Sequence, residues 1–484
     1  MRPLRGAIVA AALAAAAPAR ADDTNYQNLV LGQRALGMGG AFTALADDAS
    51  APFYNPAGAT WIDDASLSTA LNVYGMDRLR VRHGFTAVLD GEPVSIDFAS
   101  RGLAALPTTL AFAKKVGPRL SDGSKRIALG LAIFLRDESK LGVDDVLVGP
   151  ASRGSFTQSE QDRTLWIGPA FAYRVQPRLG LGAALIFSHR SVRRERNSAF
   201  ETEQPGCVPP GCPSAEIHID DELVQYTSDE LFVRAGARFD ALPRLHLGLT
   251  ATTPSVHVRG SGTLIGTHAL TLIDPATGMG TADYDPRENR GLATANPQGL
   301  ELRAGAAYGE ARRWMASGDV TFHAGHRYDP VALPDPSDPD SAIVAFLHVP
   351  TVVREAVVDV NLGGELQVGR MPLRGGVFTN FSSAPAVRES AENQLPHINM
   401  YGVTASVGWI SQGDFELSVG ALYAFGRGDY AAWDPEAGAG GAYVPTRARR
   451  DSVYFYVSGA GKAAKSLIKK IQNRNQKPDV KEGP

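Results

Sequence analysis

The residues of this chain that are best suited to metal binding are two histidines and two groups of aspartates. In the stretch HAGH, a spacing of three places His323 and His326 on opposite faces of a strand, so joint ligation requires a loop there. Carboxylates also suit calcium, and the stretches DPSDPDS and DYDPREN contain Asp335, Asp338, Asp340, Asp283 and Asp285. Ordinary solvated loops explain such runs equally well. We therefore expect no metal site and no cofactor.

Residue patterns for enzymatic catalysis are equally weak in this sequence. We find no Ser/His/Asp set and no carboxylate pair with catalytic spacing, so we expect no enzymatic activity. The glycines between Gly37 and Gly40 are not a dinucleotide fingerprint, because no βαβ unit surrounds them.

The first 21 residues predict export. The stretch MRPLRGAIVAAALAAAAPARA has a basic start, an apolar run and a small-x-small cleavage site at Ala19-Arg20-Ala21, which is typical of a signal peptide. Its apolar run is shorter than the ~20 residues of a spanning helix. We place the mature start at Asp22. In an exported chain, Cys207 and Cys212 are expected to form one small loop disulfide rather than a metal site.

Composition excludes some partners and favours one large architecture. The chain has 484 residues and a net charge of -3 with mixed signs, so its sequence does not show the excess of basic residues that is typical of nucleic-acid binding. No shift in composition marks a linker. Instead, strand-type alternation runs through nearly all of the mature chain, as in RIALGLAIFLR, where apolar residues alternate with small or polar ones.

Alternation alone fits a soluble sandwich as well as a membrane barrel, but three features favour the barrel. Many runs are longer than the ~5–6 residues usual for sandwich strands. In NMYGVTASVGWIS, Tyr401 and Trp409 bracket an apolar face, as interfacial aromatic girdles do. Short and long connections also alternate along the chain, as in outer-membrane barrels. Since unpaired backbone groups are costly in hydrocarbon, such a sheet must close on itself.

We predict an all-β, transmembrane antiparallel β-barrel of about fourteen strands. The predicted strands are 65–81, 107–117, 125–137, 162–176, 178–196, 224–241, 243–260, 298–310, 312–328, 352–369, 371–383, 396–412, 413–429 and 449–460. Long polar loops are expected at 82–106, 138–161, 197–223, 261–297, 329–351, 384–395 and 430–448.

The stretch before the first strand predicts a plug. An empty barrel of this size would conduct, so we interpret residues 22–60 as a hatch inside residues 61–460. Gly37, Gly39 and Gly40 permit tight conformations with positive φ. Pro56 fixes its own φ, and Asn55 can bond its neighbouring backbone to hold a turn.

These residues carry a resemblance to a known family. The pattern of Gly37 to Gly40, Ala46-Asp47-Asp48-Ala49 and Asn55-Pro56-Ala57 resembles the N-terminal hatch of the FadL/TodX/OmpP1 outer-membrane transporters of hydrophobic compounds. The order of hairpins through Ala460 resembles that family too. The resemblance implies capture of a ligand among external loops, transfer to a tighter site in the lumen, hatch movement, and lateral exit beside a kinked strand 3.

Two groups of residues take roles from this resemblance. It implies that Asn55, Pro56 and Ala57 contact strand 3, with Gly130 as the kink candidate; ordinary small-residue packing is the alternative at Gly130. It also implies basic residues that meet a fatty-acid carboxylate. The parity of strand 5 turns three basic side chains toward the lumen, Arg190, Arg194 and Arg196, with lipopolysaccharide contact or a solvated rim as the alternative.

The chain departs from the family after its last strand. Residues 461–484 form a basic tail, in which Ala464, Leu467, Ile468 and Ile471 share one helical face. This pattern fits a short amphipathic helix on a lipid surface or periplasmic partner, or a frayed tail.

The sequence thus predicts a monomeric protein of the bacterial outer membrane that passes fatty acids or aromatics by facilitated diffusion. Its expected surroundings are outer-membrane lipid, lipopolysaccharide and the barrel-assembly machinery. A hatch-bearing scaffold for secretion or surface assembly and a hydrophilic solute porin are the alternatives.

Overall fold

The computed structural model of the chain describes residues 24–27, 30–89, 92–149, 152–203, 215–274, 277, 279–332, 349, 351–412, 415–434, 437 and 441–462. The first helices among the described residues are α1 (Gln33–Gly37), α2 (Ala51–Tyr54) and a 3-10 helix (Pro56–Trp61). No helix within these ranges is long and apolar enough to cross a membrane.

The rest of the described chain consists almost entirely of strands. Their bounds are β1 Ala65–Leu89, β2 Glu92–Arg119, β3 Lys125–Val148, β4 Ser152–Gln176, β5 Leu179–Glu203, β6 Ala215–Leu242, β7 Leu245–Thr252, β8 Val256–Ile273, β9 Gly280–Leu292, β10 Glu301–Glu310, β11 Trp314–His323, β12 His326–Tyr328, β13 Val352–Arg354, β14 Val357–Val368, β15 Met371–Asn380, β16 His397–Ile410, β17 Phe415–Asp434 and β18 Ala442–Lys462.

The main sheet closes into a barrel, which confirms the predicted fold class. Its order is β5-β4-β3-β2-β1-β18-β17-β16-β15-β14-β11-β10-β7-β6, and the β5–β6 pairing completes a circuit of fourteen strands. The whole sheet has 16 strands, because β8 pairs with the upper part of β6 and β9 pairs with β8. β12 and β13 form a separate two-stranded ladder.

The wall is much taller on one side than on the other. β6 has 28 residues, whereas β10 has 10. This height corrects the sequence prediction of long loops at 82–106, 138–161, 197–223, 261–297 and 430–448, where most described residues belong to strands. The extension is folded because the apolar core of the barrel continues along its inner face, where Phe85 and Phe98 pack on Phe156 with near-parallel rings.

In the part of the wall that all fourteen strands share, below the tall extension, the apolar face of each strand points outward. Leu129 and Leu131 of β3 expose 48% and 51% of their surface, whereas Ala128 and Ala132, on either side of this pair, are buried. On β16, Tyr401 is 47% and Trp409 is 57% exposed. A water-soluble sandwich requires the opposite arrangement.

The lumen at this height is filled by the hatch. Residues 30–62 run through the barrel, and most of their side chains are buried against the inner wall. On the side of β2, β3 and β4 that wall is lined by small apolar residues, namely Ala111, Ala113, Ala128, Ala132, Ala170 and Ala172. The alternation of large outward and small inward residues therefore leaves room for a plug.

Candidate functional site

The candidate site comprises the hatch, its attachments to the wall, and the lumen above it. The hatch begins with α1, and Gly37, which ends α1, packs so closely on β15 and β16 that a Cβ there would meet the Arg374 side chain at 2.8 Å. Gly39 and Gly40 have φ of 63° and 81°, the left-handed conformation expected of them. A Cβ on Gly39 would lie 3.0 Å from the backbone nitrogen of Val377.

The Asn55-Pro56-Ala57 motif is hydrogen-bonded to β6 and packs closely on glycines of β5 and β6. Asn55 Nδ2 donates to Thr43 O in the hatch and to Ala237 O on β6, each at 2.9 Å. Its Oδ1 accepts from Ala57 N at 3.1 Å, which holds the turn as the sequence predicts. Gly182 and Gly236 supply the necessary space: a Cβ on either would clash with the motif. The 3-10 helix that begins at Pro56 also lies near β3, and a functional contact of the motif with that strand stays a prediction.

Gly130 lies in a regularly paired part of β3, where a Cβ would make ordinary contacts. It pairs regularly with Ala113 on β2 and Ala170 on β4, and a Cβ there would lie 3.4 Å from Pro52 of α2. The register of β3 shifts instead around Arg136, between the Leu135 and Asp137 pairings with β4. The small-residue alternative thus describes Gly130.

An ion network fastens α1 to the opposite side of the barrel. Arg34 donates to Glu365 of β14 at 2.9 Å and to Asp47 at 2.7 Å. Arg374 of β15 donates to the same Glu365 and to Glu416 of β17. Burial opposes the charge of Arg34, but Asp47 and Glu365 outweigh that effect and raise the pKa of the guanidinium above its usual value.

A second anchor is Asp319 on β11. Its Oδ2 accepts from Phe42 N and Thr43 N, each at 2.9 Å, and from Thr43 Oγ1 at 2.7 Å. Asp48, the other predicted hatch carboxylate, accepts from Ser50 within the hatch. Burial raises the pKa of Asp48, and the neighbouring charge of Asp47 adds to this shift.

The basic residues predicted on strand 5 point inward but have partners there. Arg190 is 3% exposed and donates to Asp162 from Nε at 3.0 Å and to Asn296 from Nη1 at 2.9 Å. Arg196 pairs with Glu222, and Arg194 lies beside Glu160 in the β4–β5 register. These residues stabilise the tall extension of the wall; a direct role in ligand binding stays a prediction.

Between the hatch and this extension, the described residues enclose small cavities that include one of about 60 Å³ and one of about 20 Å³, and Arg136 lines both. The floor is aromatic, with Phe53 of the hatch near Phe134 and Trp166 of the wall. Arg136 lies 5.4 Å above the Trp166 ring. A buried guanidinium over an aromatic floor can accept an anionic head and an apolar tail together.

Further polar groups face the 20 Å³ cavity. Arg303 is 7% exposed, lies 5.8 Å from the Tyr54 ring centroid, and its Nε has no hydrogen-bond partner among the described residues. Sequence analysis missed Arg136 and Arg303. The signal that could have found them is a charged residue on the inward, small-residue face of a strand.

The start of the described chain closes the lumen from above. Asn25 Nδ2 donates to Asn380 O at 2.6 Å, and the Tyr26 ring stacks on His323 at 3.9 Å. His326 instead stacks on Tyr328. Among the described residues, no group of three or more His, Cys, Asp or Glu could hold a metal ion.

Several predicted positions lie elsewhere. Cys207, Cys212, Asp335, Asp338 and Asp340 fall outside the described residues. Asp285 lies on the exposed β9 and pairs with Arg287. At the opposite end of the barrel, where the short turns lie, a cavity of about 530 Å³ opens beneath the hatch.

The fold and the site together define a hatch-plugged antiparallel β-barrel. Solved structures with this architecture include a FadL homologue from Pseudomonas aeruginosa, with 15% identity and a TM-score of 0.59, covering 90% of this chain and 99% of that one. The toluene transporter TodX from Pseudomonas putida has 13% identity and a TM-score of 0.56, with coverage of 89% and 98%. The predicted likeness to the FadL/TodX fold is confirmed.

Sequence comparison gives no closer relative. No protein-family profile matches the chain, and no curated protein matches it.

Proposed function

We propose that the protein is an outer-membrane channel that passes hydrophobic molecules by facilitated diffusion. The observation that supports this best is the combination of an outward apolar belt, which includes Leu131 and Val403, with a plug in the lumen. An outward apolar belt is favourable in lipid. A plug has a purpose in a barrel of this width because it prevents leakage of polar solutes.

Amphipathic carboxylates such as long-chain fatty acids are the proposed ligands. A carboxylate could accept charge-assisted hydrogen bonds from Arg136 and Arg303, while its tail lies on the aromatic floor around Phe53. Neutral monoaromatics are the other candidates within this class, since one protein with this fold, TodX, is a toluene transporter.

Hatch movement belongs to this proposal. A ligand in the lumen must pass residues 30–62, and the two cavities above them are too small for a long acyl chain. The predicted gating residues, Gly37, Gly39, Gly40, Asp47, Asp48, Asn55, Pro56 and Ala57, are the hatch positions that would control this movement.

Lateral release beside β3 is the proposed exit. The β2–β3 ladder ends at the pair Thr109–Phe134, although the two strands continue to Glu92 and Val148. Within the described residues above that pair, no ladder joins β2 to β3. Pro107 contributes to this, since it has no N–H to donate. We call the boundary between 92–107 and 137–148 the β2–β3 seam.

We place the protein in the outer membrane, with an orientation that follows from the two ends of the barrel. Residues 1–21 would be removed on export. The short turns would face the periplasm, and the tall extension would meet lipopolysaccharide. The chain would insert through the barrel-assembly machinery and act as a monomer.

A non-transporting scaffold for secretion or surface assembly is the second candidate. The small lumen cavities, about 60 and 20 Å³, favour it because they suit a permanently filled barrel. A hydrophilic solute porin is a weaker alternative, since it requires an open path past the hatch.

Reconstitution into liposomes separates these candidates. We expect saturable uptake of labelled oleate or toluene by the mature protein, with little ion conductance in planar bilayers. A correctly folded protein that adds nothing to the rate in protein-free liposomes supports the scaffold. Steady conductance with the hatch in place supports the porin.

A further inference from the structure

The short turns of the barrel repeat an arginine that the proposed function does not use. Three turns read Pro-Arg-Leu, at 118–120, 177–179 and 243–245, and two others read Arg-Trp at 313–314 and Arg-Met at 370–371. These five turns connect neighbouring barrel strands at the end opposite the tall extension. The arginine is exposed in all five. The repeat therefore places accessible guanidinium groups around this rim of the barrel.

Turn geometry does not account for these arginines. Short hairpin turns favour Gly, Asn, Asp and Ser, which adopt the required backbone conformations or bond to the neighbouring backbone. Arg312, which precedes Arg313, has a left-handed φ of 65°, a conformation that glycine or asparagine adopts more readily. The chemistry of the guanidinium therefore explains the repeat better than the conformation of the turns.

Positive charge is in excess on this rim. The five turns and the residues that flank them carry seven basic and two acidic side chains. The basic ones are Arg119, Lys125, Arg178, Arg244, Arg312, Arg313 and Arg370, and the acidic ones are Asp122 and Glu310. Glu310 pairs with both Arg244 and Arg313, and Asp64, which joins the hatch to β1, pairs with Lys125. Arg178, Arg312 and Arg370 have no ion pair with another described residue. The acids at this end therefore leave several arginines available for a partner.

The arginines also border the outward apolar belt. At two turns the residue after the arginine is a large apolar side chain of that belt, since Trp314 is 40% and Met371 is 38% exposed. The Tyr308 ring lies 5.6 Å from the Trp314 ring, and Tyr308 is exposed as well. Tyrosine and tryptophan girdles mark the level of the lipid headgroups on membrane barrels. An arginine next to such a girdle reaches the lipid phosphates with its charged end.

We infer that this arginine rim binds the phosphate groups of anionic phospholipids in the leaflet on the side of the short turns. A guanidinium presents two parallel N–H donors to a phosphate, which an ammonium group cannot do. Arg312 and Arg370 also line the mouth of the cavity beneath the hatch, so we assign the lipid contacts to Arg178, Arg244 and Arg313. The inference rests on the membrane setting of the proposed function and not on transport.

The test compares two lipids on the full mature chain. The protein in neutral detergent is titrated with phosphatidylglycerol or with phosphatidylcholine, and the bound lipid is counted by native mass spectrometry. We expect tighter binding of phosphatidylglycerol, and a loss of roughly five-fold or more in its affinity when Arg178→Gln, Arg244→Gln and Arg313→Gln are combined. Heat-dependent gel mobility verifies that each variant is folded. The basic tail, residues 463–484, lies outside the described residues and is identical in every protein compared.

The matched control removes the same charge from the tall extension. Arg193→Gln, Arg259→Gln and Arg290→Gln replace side chains that are 51%, 80% and 69% exposed, and phosphatidylglycerol affinity should remain unchanged. An equal loss in both triple variants overturns the inference, because it indicates an effect of net charge alone. Full affinity in the first triple variant also overturns it, and leaves the rim to an acidic protein partner.

Lipid binding and transport are measured separately. Arg178→Lys, Arg244→Lys and Arg313→Lys keep the charge but lose the paired donors, so their combination should bind phosphatidylglycerol less tightly than the original protein. Undiminished binding by this lysine variant overturns the recognition of phosphate by guanidinium. An inactive channel that binds phosphatidylglycerol through the three arginines supports this inference and contradicts only the proposed transport. An active channel that binds both lipids equally overturns this inference alone.

Discussion

Arg34 Nε lies 2.9 Å from Glu365 Oε2, so a guanidinium on the first helix of the hatch is paired with a carboxylate on the barrel wall. The same Glu365 also accepts from Arg374 at 2.6 Å. This attachment is on the side of β14, across the lumen from the alanine-lined wall of β2 to β4. The hatch is therefore held by charge on one side and by apolar contact on the other.

Replacement of Glu365 by Gln should loosen the hatch. Removal of one partner of a buried ion pair costs about 3–5 kcal/mol, because two guanidinium groups would lose their shared carboxylate. We expect larger and more frequent conductance steps in planar bilayers, with the barrel still folded.

The matched control is Glu310→Gln, which removes an exposed carboxylate paired with Arg244 and Arg313 at a turn. Exposed pairs contribute about 0–1 kcal/mol, so conductance should remain at the level of the original protein. Equal conductance of the two variants contradicts a role for the Arg34–Glu365 pair in holding the hatch.

Asn55→Ala should destabilise the hatch by roughly 2–4 kcal/mol, because Thr43 O, Ala237 O and Ala57 N lose their side-chain partner inside the barrel. The measurement is the rate at which a protease cleaves residues 30–62 in detergent. Asn55→Asp keeps the acceptor for Ala57 N but places a carboxylate against two carbonyl oxygens, so it should not restore protection. A protease-resistant Asn55→Ala variant contradicts this account.

The ladder of the membrane zone could be predicted from the sequence because lipid imposes one apolar face on each strand. β3, β14 and β16 all follow that rule. The extension could not be predicted in the same way. On β4, residues 152–162 have polar side chains on both faces, since Gln158 and Glu160 point inward and pair within the wall instead of facing lipid. The period-2 signal in hydropathy disappears there, although the strand continues.

The hatch motif could be recognised, but its contacts could not. Glycine inside a strand can indicate close approach, and Gly182 and Gly236 satisfy this condition, whereas a Cβ at Gly130 would make only ordinary contacts. The sequence contains nothing that indicates the hydrogen bond from Asn55 to Ala237 O on β6. Arg136 and Arg303 were missed for a related reason, because their role depends on the aromatic side chains that the hatch brings beneath them.

Arg136→Gln and Arg303→Gln should weaken carboxylate binding specifically. Loss of a charge-assisted hydrogen bond costs about 1.5–3 kcal/mol, which corresponds to roughly 10-fold to 100-fold in affinity. We expect this loss for oleate in equilibrium binding and much less for oleyl alcohol, which has the same tail and no charge. An equal loss for both ligands indicates a structural role for the two arginines.

Arg190→Ala provides the comparison on strand 5. Arg190 is already engaged by Asp162 and Asn296, so its removal should reduce stability and leave the affinity ratio of oleate to oleyl alcohol unchanged. A selective loss of oleate binding in this variant restores the role implied by the family resemblance.

The β2–β3 seam can be tested by joining its two sides. Gly142 N donates to Ser100 Oγ at 3.1 Å across the seam, so Ser100→Cys with Gly142→Cys puts one thiol on each side of it, and the disulfide yield after oxidation is measured first. If ligands leave through the seam, oxidation should slow oleate uptake several-fold, and reduction should restore it.

The matched variant keeps Gly142→Cys and adds Ser159→Cys, its ladder partner on β4. That bond joins strands that are already paired, so oxidation should leave uptake unchanged. Undiminished uptake through a fully oxidised seam would assign the exit to another part of the wall, while slowing in both variants would indicate that β3 itself must move.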